Sequence, residues 1–187
     1  AGYELALVTD IGTIDDKSFN QGSWEGLIAY ADENGKTSKY YKPSEVTTAS
    51  ILETIGLAVR GGAKLIVCPG YKFAEAVYEA QTTYPEVKFI ILDSQPEKDK
   101  DKTINDNVYA IFYAEEQAGF LAGYAAVKDG YTKLGFMGGM AVPAVARFGY
   151  GFALGAETAA KEMGIESIDM KYHYTGGFAA TPEVQTV

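Results

Sequence analysis

The chain has 187 residues and a formal net charge of −9, from 25 acidic and 16 basic side chains, and Arg60 and Arg147 are its only arginines. Clustered Arg and Lys of the kind that track a phosphate backbone are missing, which excludes nucleic acid as a partner, and no apolar run has the length of a bilayer-crossing helix. A single cysteine, Cys68, and a single histidine, His173, exclude an internal disulfide and a metal site built from several Cys or His ligands.

Taken in chain order, Leu5-Ala6-Leu7-Val8 is an apolar run of strand length and predicts a strand over residues 3–8. Phe19, Trp24, Leu27, Ile28 and Ala31 recur on one helical face, and Gly35 supplies the stop. A strand follows at 38–41, then a helix carried by Ile51, Leu52, Ile55, Ala58 and Val59 that ends at Gly61-Gly62. Strand 63–68 contains Leu65-Ile66-Val67-Cys68, an apolar setting that makes Cys68 a buried thiol. Helix 74–84 is stopped by Pro85, and strand 87–92 precedes the charge run 97–102, read as a solvated loop. Strand 108–112 leads to helix 115–128, where Gly119 and Gly123 are expected to let the helix sit close against a sheet. Strand 133–137, helix 143–163 with Gly164 as its C-cap, and strand 167–174 complete the pattern. His173 is expected as a polar residue on a strand face. Residues 180–187 read as the first turn of a helix, so the chain is expected to be a fragment.

Strand and helix alternating in this way imply an α/β fold with parallel sheets flanked by helices on both faces and right-handed crossovers. A break near Lys128-Asp129-Gly130 predicts a division into 1–128 and 129–187. In parallel sheets the carboxyl ends of the strands share one edge, and ligands bind there. Two turns on that edge begin with an acid directly after an apolar strand, Asp10 and Asp93. Each is placed either to accept hydrogen bonds from a ligand or to cap a helix. Phe19, between Ser18 and Asn20, is either a core residue or a plate for a flat ring; base–aromatic stacking contributes on the order of 1–3 kcal/mol per base. Gly138-Gly139-Met140 and Gly176-Gly177-Phe178 pair glycines that admit a close ligand, or simply form turns, with a large side chain. The motifs G-x-S-x-G, G-x-x-x-x-G-K-[ST] and H-E-x-x-H do not occur, and no catalytic residue, cofactor or metal is expected. An alternative of another class is a calcium-dependent nucleoside hydrolase, whose N-terminal loop resembles D-x-D-P-G-x-D-D. Here the run is Asp10-Ile11-Gly12-Thr13-Ile14-Asp15-Asp16, with Gly12 where a second acid is required and the Asp pair one residue early, a serious loss for a cation that wants about six or more oxygen ligands.

Several segments together carry a more specific resemblance: the loop 10–21, Gly70-Tyr71-Lys72-Phe73, Leu92-Asp93, Gly119-Phe120-Leu121-Ala122-Gly123-Tyr124, Gly135-Phe136-Met137-Gly138-Gly139, Phe148 with Gly151-Phe152, and Tyr174-Thr175-Gly176-Gly177-Phe178. In order and over essentially the whole chain, these resemble the basic membrane protein family, the substrate-binding lipoproteins of ABC importers that include a purine nucleoside receptor. The resemblance implies a type I periplasmic-binding-protein fold, two lobes with ligand held between them, the second lobe incomplete here. Residues 1–128 would be most of the first lobe, and 129–187 the hinge and the start of the second. It places Asp10, Phe19, Asn20 and Asp93 at first-lobe ligand positions and Phe178 at the second-lobe aromatic, with Ser18, Gly139 and Met140 expected beside them. The implied ligand is a purine nucleoside such as guanosine, inosine or adenosine, with riboflavin or a pentose as the alternative within the fold. The implied partners are ABC permease subunits. The implied location is extracytoplasmic, as a cell-membrane lipoprotein whose lipid-bearing Cys is not in this chain. This chain by itself is expected to bind nucleoside weakly or not at all.

Overall fold

The structure, a computed structural model, describes residues 2–10, 12–178 and 181–186. It forms two compact units, Ala1–Phe112 and Tyr113–Val187. The break in contacts falls before the fourth helix, so that helix belongs with the elements that follow it; the sequence reading put the division after it, near 128.

In the first unit, β1 (Leu5–Val8), β2 (Ser38–Tyr41), β3 (Leu65–Pro69), β4 (Lys88–Leu92) and β5 (Val108–Ile111) form one sheet in the order β2-β1-β3-β4-β5. All its pairings are parallel. Helices α1 (Phe19–Glu33), α2 (Thr48–Arg60) and α3 (Ala74–Thr83) cover it, and a 3-10 turn at Tyr71–Phe73 leads into α3. Successive side chains of a strand point to opposite faces. Leu5 and Leu7 therefore pack with Val67 and with Leu27 and Ala31 of α1. Ala6, Val8, Ile66, Cys68, Phe89 and Ile91 face the other way, onto Ile51 and Ile55 of α2 and Val77 and Ala80 of α3. With both faces covered, β1 and β3 have no polar alternation, which is why they read as continuous apolar runs. Cys68 is fully buried on the central strand, and burial pushes its thiol far above the ordinary range. The strand order reverses at β1, with β2 on one side and β3 on the other. The carboxyl end of the sheet between β1 and β3 is thus a topological switch point, the kind of place where open α/β sheets bind their ligands.

In the second unit, β6 (Lys133–Gly138) and β7 (Asp169–Tyr174) pair in parallel, accompanied by α4 (Glu115–Lys128) and α5 (Pro143–Met163). Gly119 and Gly123 were expected to approach a sheet; they approach a helix instead. A Cβ on either would run into the carbonyl oxygens of Phe148 and Phe152 in α5, while Gly151 and Gly155 stand in the same relation to Glu116 and Phe120 of α4. Four glycines thus let two backbones meet directly. Val127, Ala156, Ala159 and Ala160 form the small core beside them. The Arg147 Nε–H of α5 donates to Glu115 Oε2 in the first turn of α4 at 2.6 Å, and Glu115 is 5% exposed. Gly164 ends α5 in the left-handed region at φ 67, as its position in the sequence predicts. Within 180–187, where a helix start was expected, Val184–Thr186 forms a 3-10 turn, while residues 180 and 187 lie outside the described residues.

Candidate ligand-binding site

Asp10 follows β1 at the switch point, on a loop folded around its own polar side chains. Its Oδ1 accepts from the Gly12 N–H at 2.7 Å and from Asn20 Nδ2 at 2.8 Å. Its Oδ2 receives Lys72 Nζ at 3.3 Å, from the turn after β3. Partial burial works to raise the pKa of Asp10, but the Asn20 amide, the Gly12 N–H and the Lys72 ammonium outweigh it and hold the carboxyl below its usual value. The result is an ionised acceptor at the rim of the sheet, half-exposed and held from two separate turns.

Asn20 is the brace of this loop. Its Nδ2 donates to Asp10 Oδ1 and, at 2.9 Å, to Asp16 Oδ2, while its Oδ1 accepts from the Asp10 N–H at 3.3 Å. Both amide hydrogens are thus engaged inside the protein, and the residue is 3% exposed, so its contribution to a site passes through Asp10. Asp16 caps α1: Oδ1 accepts from the N–H groups of Ser18 and Gln21, at 2.8 and 3.1 Å, and Oδ2 from the N–H of Asn20 at 3.3 Å. Slight burial opposes ionisation of Asp16, but these donors prevail and its pKa is lowered. Gly12, where the hydrolase pattern wants an acid, has its α-carbon turned toward the Asn20 amide, and a Cβ there would lie 2.6 Å from Asn20 Nδ2. The oxygens of Asp10 and Asp16 therefore meet N–H donors, the opposite of a cation cage, and no group of three metal-ligating side chains is assembled among the described residues.

Phe19, which the sequence left between core and plate, begins α1 and is 44% exposed. Ser18 beside it is exposed, and its N–H is the one Asp16 accepts. Asp93 follows β4, half-buried, with its N–H donating to the Ile111 carbonyl at 2.7 Å and its backbone in the left-handed region at φ 54. That region is uncommon for a side-chain-bearing residue and least costly for Asn and Asp. Since β3 lies between β1 and β4, the strands that lead to Asp10 and Asp93 are two strand spacings, about 10 Å, apart. The turn carrying Lys72 lies between them. Gly70 opens that turn at φ 109, a conformation that favours glycine, and its N–H donates to the Leu92 carbonyl at 2.9 Å. Lys72 was not singled out as a site residue from the sequence. The available signal was its place two residues past Gly70, on the edge that gathers Asp10 and Asp93.

In the second unit, Gly138 and Gly139 end β6 beside the segment that follows β7. Their carbonyls accept from the N–H groups of Thr175 and Gly176, at 2.9 and 2.8 Å. The Phe178 ring lies against Gly139 so closely that a Cβ there would overlap it. Phe178 is nonetheless 60% exposed. Met140, after Gly139, is half-buried. His173 is exposed on β7.

These features meet known proteins in one family. The model for ABC transporter substrate-binding proteins of the PnrA-like kind, Bmp, matches residues 3–179, and the chain belongs to that family. It is 31% identical over 187 residues to the ABC transporter nucleoside-binding protein BmpA of Lactococcus lactis, covering 98% of this chain and 50% of that protein. It is 33% identical to basic membrane protein A1 of Borrelia garinii, covering 94% of this chain and 49% of the relative. The chain thus spans about half the length of these relatives. Among solved structures, a solute-binding protein of an Aeropyrum pernix ABC transporter system superposes with a TM-score of 0.76 at 24% identity, over 97% of this chain and 50% of that one. The fold is that of the type I periplasmic binding proteins, as the resemblance implied.

Proposed function

We propose that this chain carries the ligand-gripping part of an ABC importer's solute receptor whose ligand is a purine nucleoside. One observation carries the reading: an ionised, doubly braced Asp10 and an exposed Phe19 occur together on the loop at the switch point of a parallel sheet. A carboxylate suits the N–H and O–H groups of a nucleoside, and an exposed phenyl ring suits its base, whereas a pentose has no flat ring to stack. The Lactococcus relative is a nucleoside-binding protein, which points the same way. In this reading Asp10 and Asp93 accept hydrogen bonds from the ligand, Asn20 holds Asp10, and Phe19, with Ser18 at the helix start, supplies the plate. Within the second unit, Phe178 beside Gly139, with Met140 next in the chain, offers an exposed ring of the kind on which a flat ligand stacks. The protein would be extracytoplasmic and lipid-anchored, deliver its ligand to permease subunits and catalyse nothing.

The test is native mass spectrometry of the whole natural protein, followed by calorimetry with guanosine, inosine, adenosine, riboflavin and ribose. A co-purifying nucleoside bound more tightly than riboflavin or ribose is the expected result. Preference for riboflavin or the pentose would overturn the nucleoside reading, and release of free base from inosine would overturn the receptor reading.

A further inference from the structure

Lys72 joins the two turns that flank the switch point. The Gly12 N–H, from the loop after β1, and the Asn20 amide, from the first turn of α1, both take Asp10 Oδ1. Lys72 reaches across from the turn after β3 to Oδ2 at 3.3 Å, with 35% of its side chain exposed. Its backbone is anchored on both sides: before it, Gly70 donates to the Leu92 carbonyl at 2.9 Å, and after it Phe73 is fully buried in the core. A lysine whose α-carbon is fixed in this way delivers its ammonium to a defined place.

We propose that Lys72 is a positioning residue of the ligand site: its ammonium pins the Asp10 carboxylate and fixes Oδ2 as the acceptor offered to a ligand N–H or O–H. The chemistry allows both roles at once. A carboxylate oxygen keeps acceptor capacity after one hydrogen bond, and an ammonium with three hydrogens keeps donors for an acceptor atom of the same ligand. The charged groups facing Asp10 are Lys72 from the β3 turn and, across the shared Asn20 amide, Asp16 from its own loop. Against the partial burial of Asp10, Lys72 acts with the Asn20 amide and the Gly12 N–H, and it is the cation among these three. The class of ligand rests on the proposed function; the Lys72–Asp10 coupling does not.

Two measurements on K72M, with K72R and K72Q beside it, test the assignment. In this chain, the Asp10 carboxyl carbon is followed by NMR as pH is lowered. K72M and K72Q are expected to move its midpoint upward, and K72R to leave it near that of the wild type. In the whole natural protein, inosine affinity is measured from pH 7 down to pH 4. K72M is expected to bind about threefold to tenfold more weakly at pH 7, the range of a partly exposed charged hydrogen bond. The deficit should widen toward acid, where the Asp10 of the variant protonates first, and K72R should recover part of the loss. An unchanged Asp10 midpoint in K72M overturns the proposal, and so does a K72M protein that binds inosine as tightly as wild type throughout. Wild-type protein that binds no nucleoside at all sinks the nucleoside reading alone, and the Asp10 midpoint then decides the role of Lys72.

Discussion

A single residue does two jobs at the start of α1. Asp16 satisfies N–H groups that the first turn of a helix leaves without partners, and through Asn20 it also steadies Asp10. Asp16→Ala is expected to lower stability by about 1 kcal/mol, the usual cost of losing a cap, read as a lower urea midpoint at unchanged slope. The acid limb follows from the same geometry. Asp10 and Asp16 both titrate below the unfolded-state value of 3.8. Their contribution is therefore fully present above that value and is lost as pH falls below it through the lower folded values. Urea midpoints measured between pH 6 and pH 2 should fall in that acid window, and Asp16→Asn should flatten the fall. A profile identical in wild type and variant would contradict the assignment. At this scale the sequence was informative but ambiguous. It marked Asp10 and Asp93 by their place after apolar strands and Phe19 by its place in the first turn of a helix, while Asn20 came with the family resemblance. It could not say that Asn20 spends both amide hydrogens inside the loop, because that depends on a three-dimensional closure between residues 10, 16 and 20.

The contact between α4 and α5 is governed by glycine. Gly123→Ala forces a methyl group into the Phe152 carbonyl, and the helices must separate; a loss of about 1–3 kcal/mol or more is expected, the range of an overpacked core. Gly26→Ala, on the exposed face of α1 where nothing lies within 4 Å of the added carbon, is the matching control. It should raise stability by about 0.4–1 kcal/mol through the unfolded state. Thermal melts of the two variants moving in opposite directions check both statements; a Gly123→Ala protein as stable as wild type would refute the backbone contact. The elements themselves were legible: α4 and α5 coincide with their expected bounds, and the strands differ from theirs by at most two residues at an end. What glycine spacing could not convey was the partner. A small-residue stripe fits a sheet or a helix equally well, and the choice was made by the matching glycines of α5, 151 and 155.

The two units differ in how much apolar surface they bury. The first has a core on each face of a five-stranded sheet, and the second a small core and a two-stranded sheet whose Tyr172 is 76% exposed. Two strands contribute little stability alone, so hydrogen exchange should find the amides of β3 and β4 protected far longer than those of β6 and β7. The opposite order would mean that the second unit is the sturdier one. Between the units, Phe112 and Tyr113 are 48% and 47% exposed, which makes the peptide bonds after them the expected sites of first cleavage by limiting chymotrypsin. The expected fragment ends near residue 112. The boundary was the least legible feature in the sequence, since no proline, glycine or charge run marks residues 112 and 113, whereas Lys128-Asp129-Gly130 looks like a linker and is only the end of a helix.

The sulfur of Cys68 sits on the middle strand, sealed from solvent and disinclined to ionise. Thiolate is the form that alkylating reagents attack, so in the native protein iodoacetamide should leave this position untouched. Every molecule that becomes labelled has opened its central sheet, which gives the chain an internal clock for such openings without any engineered probe.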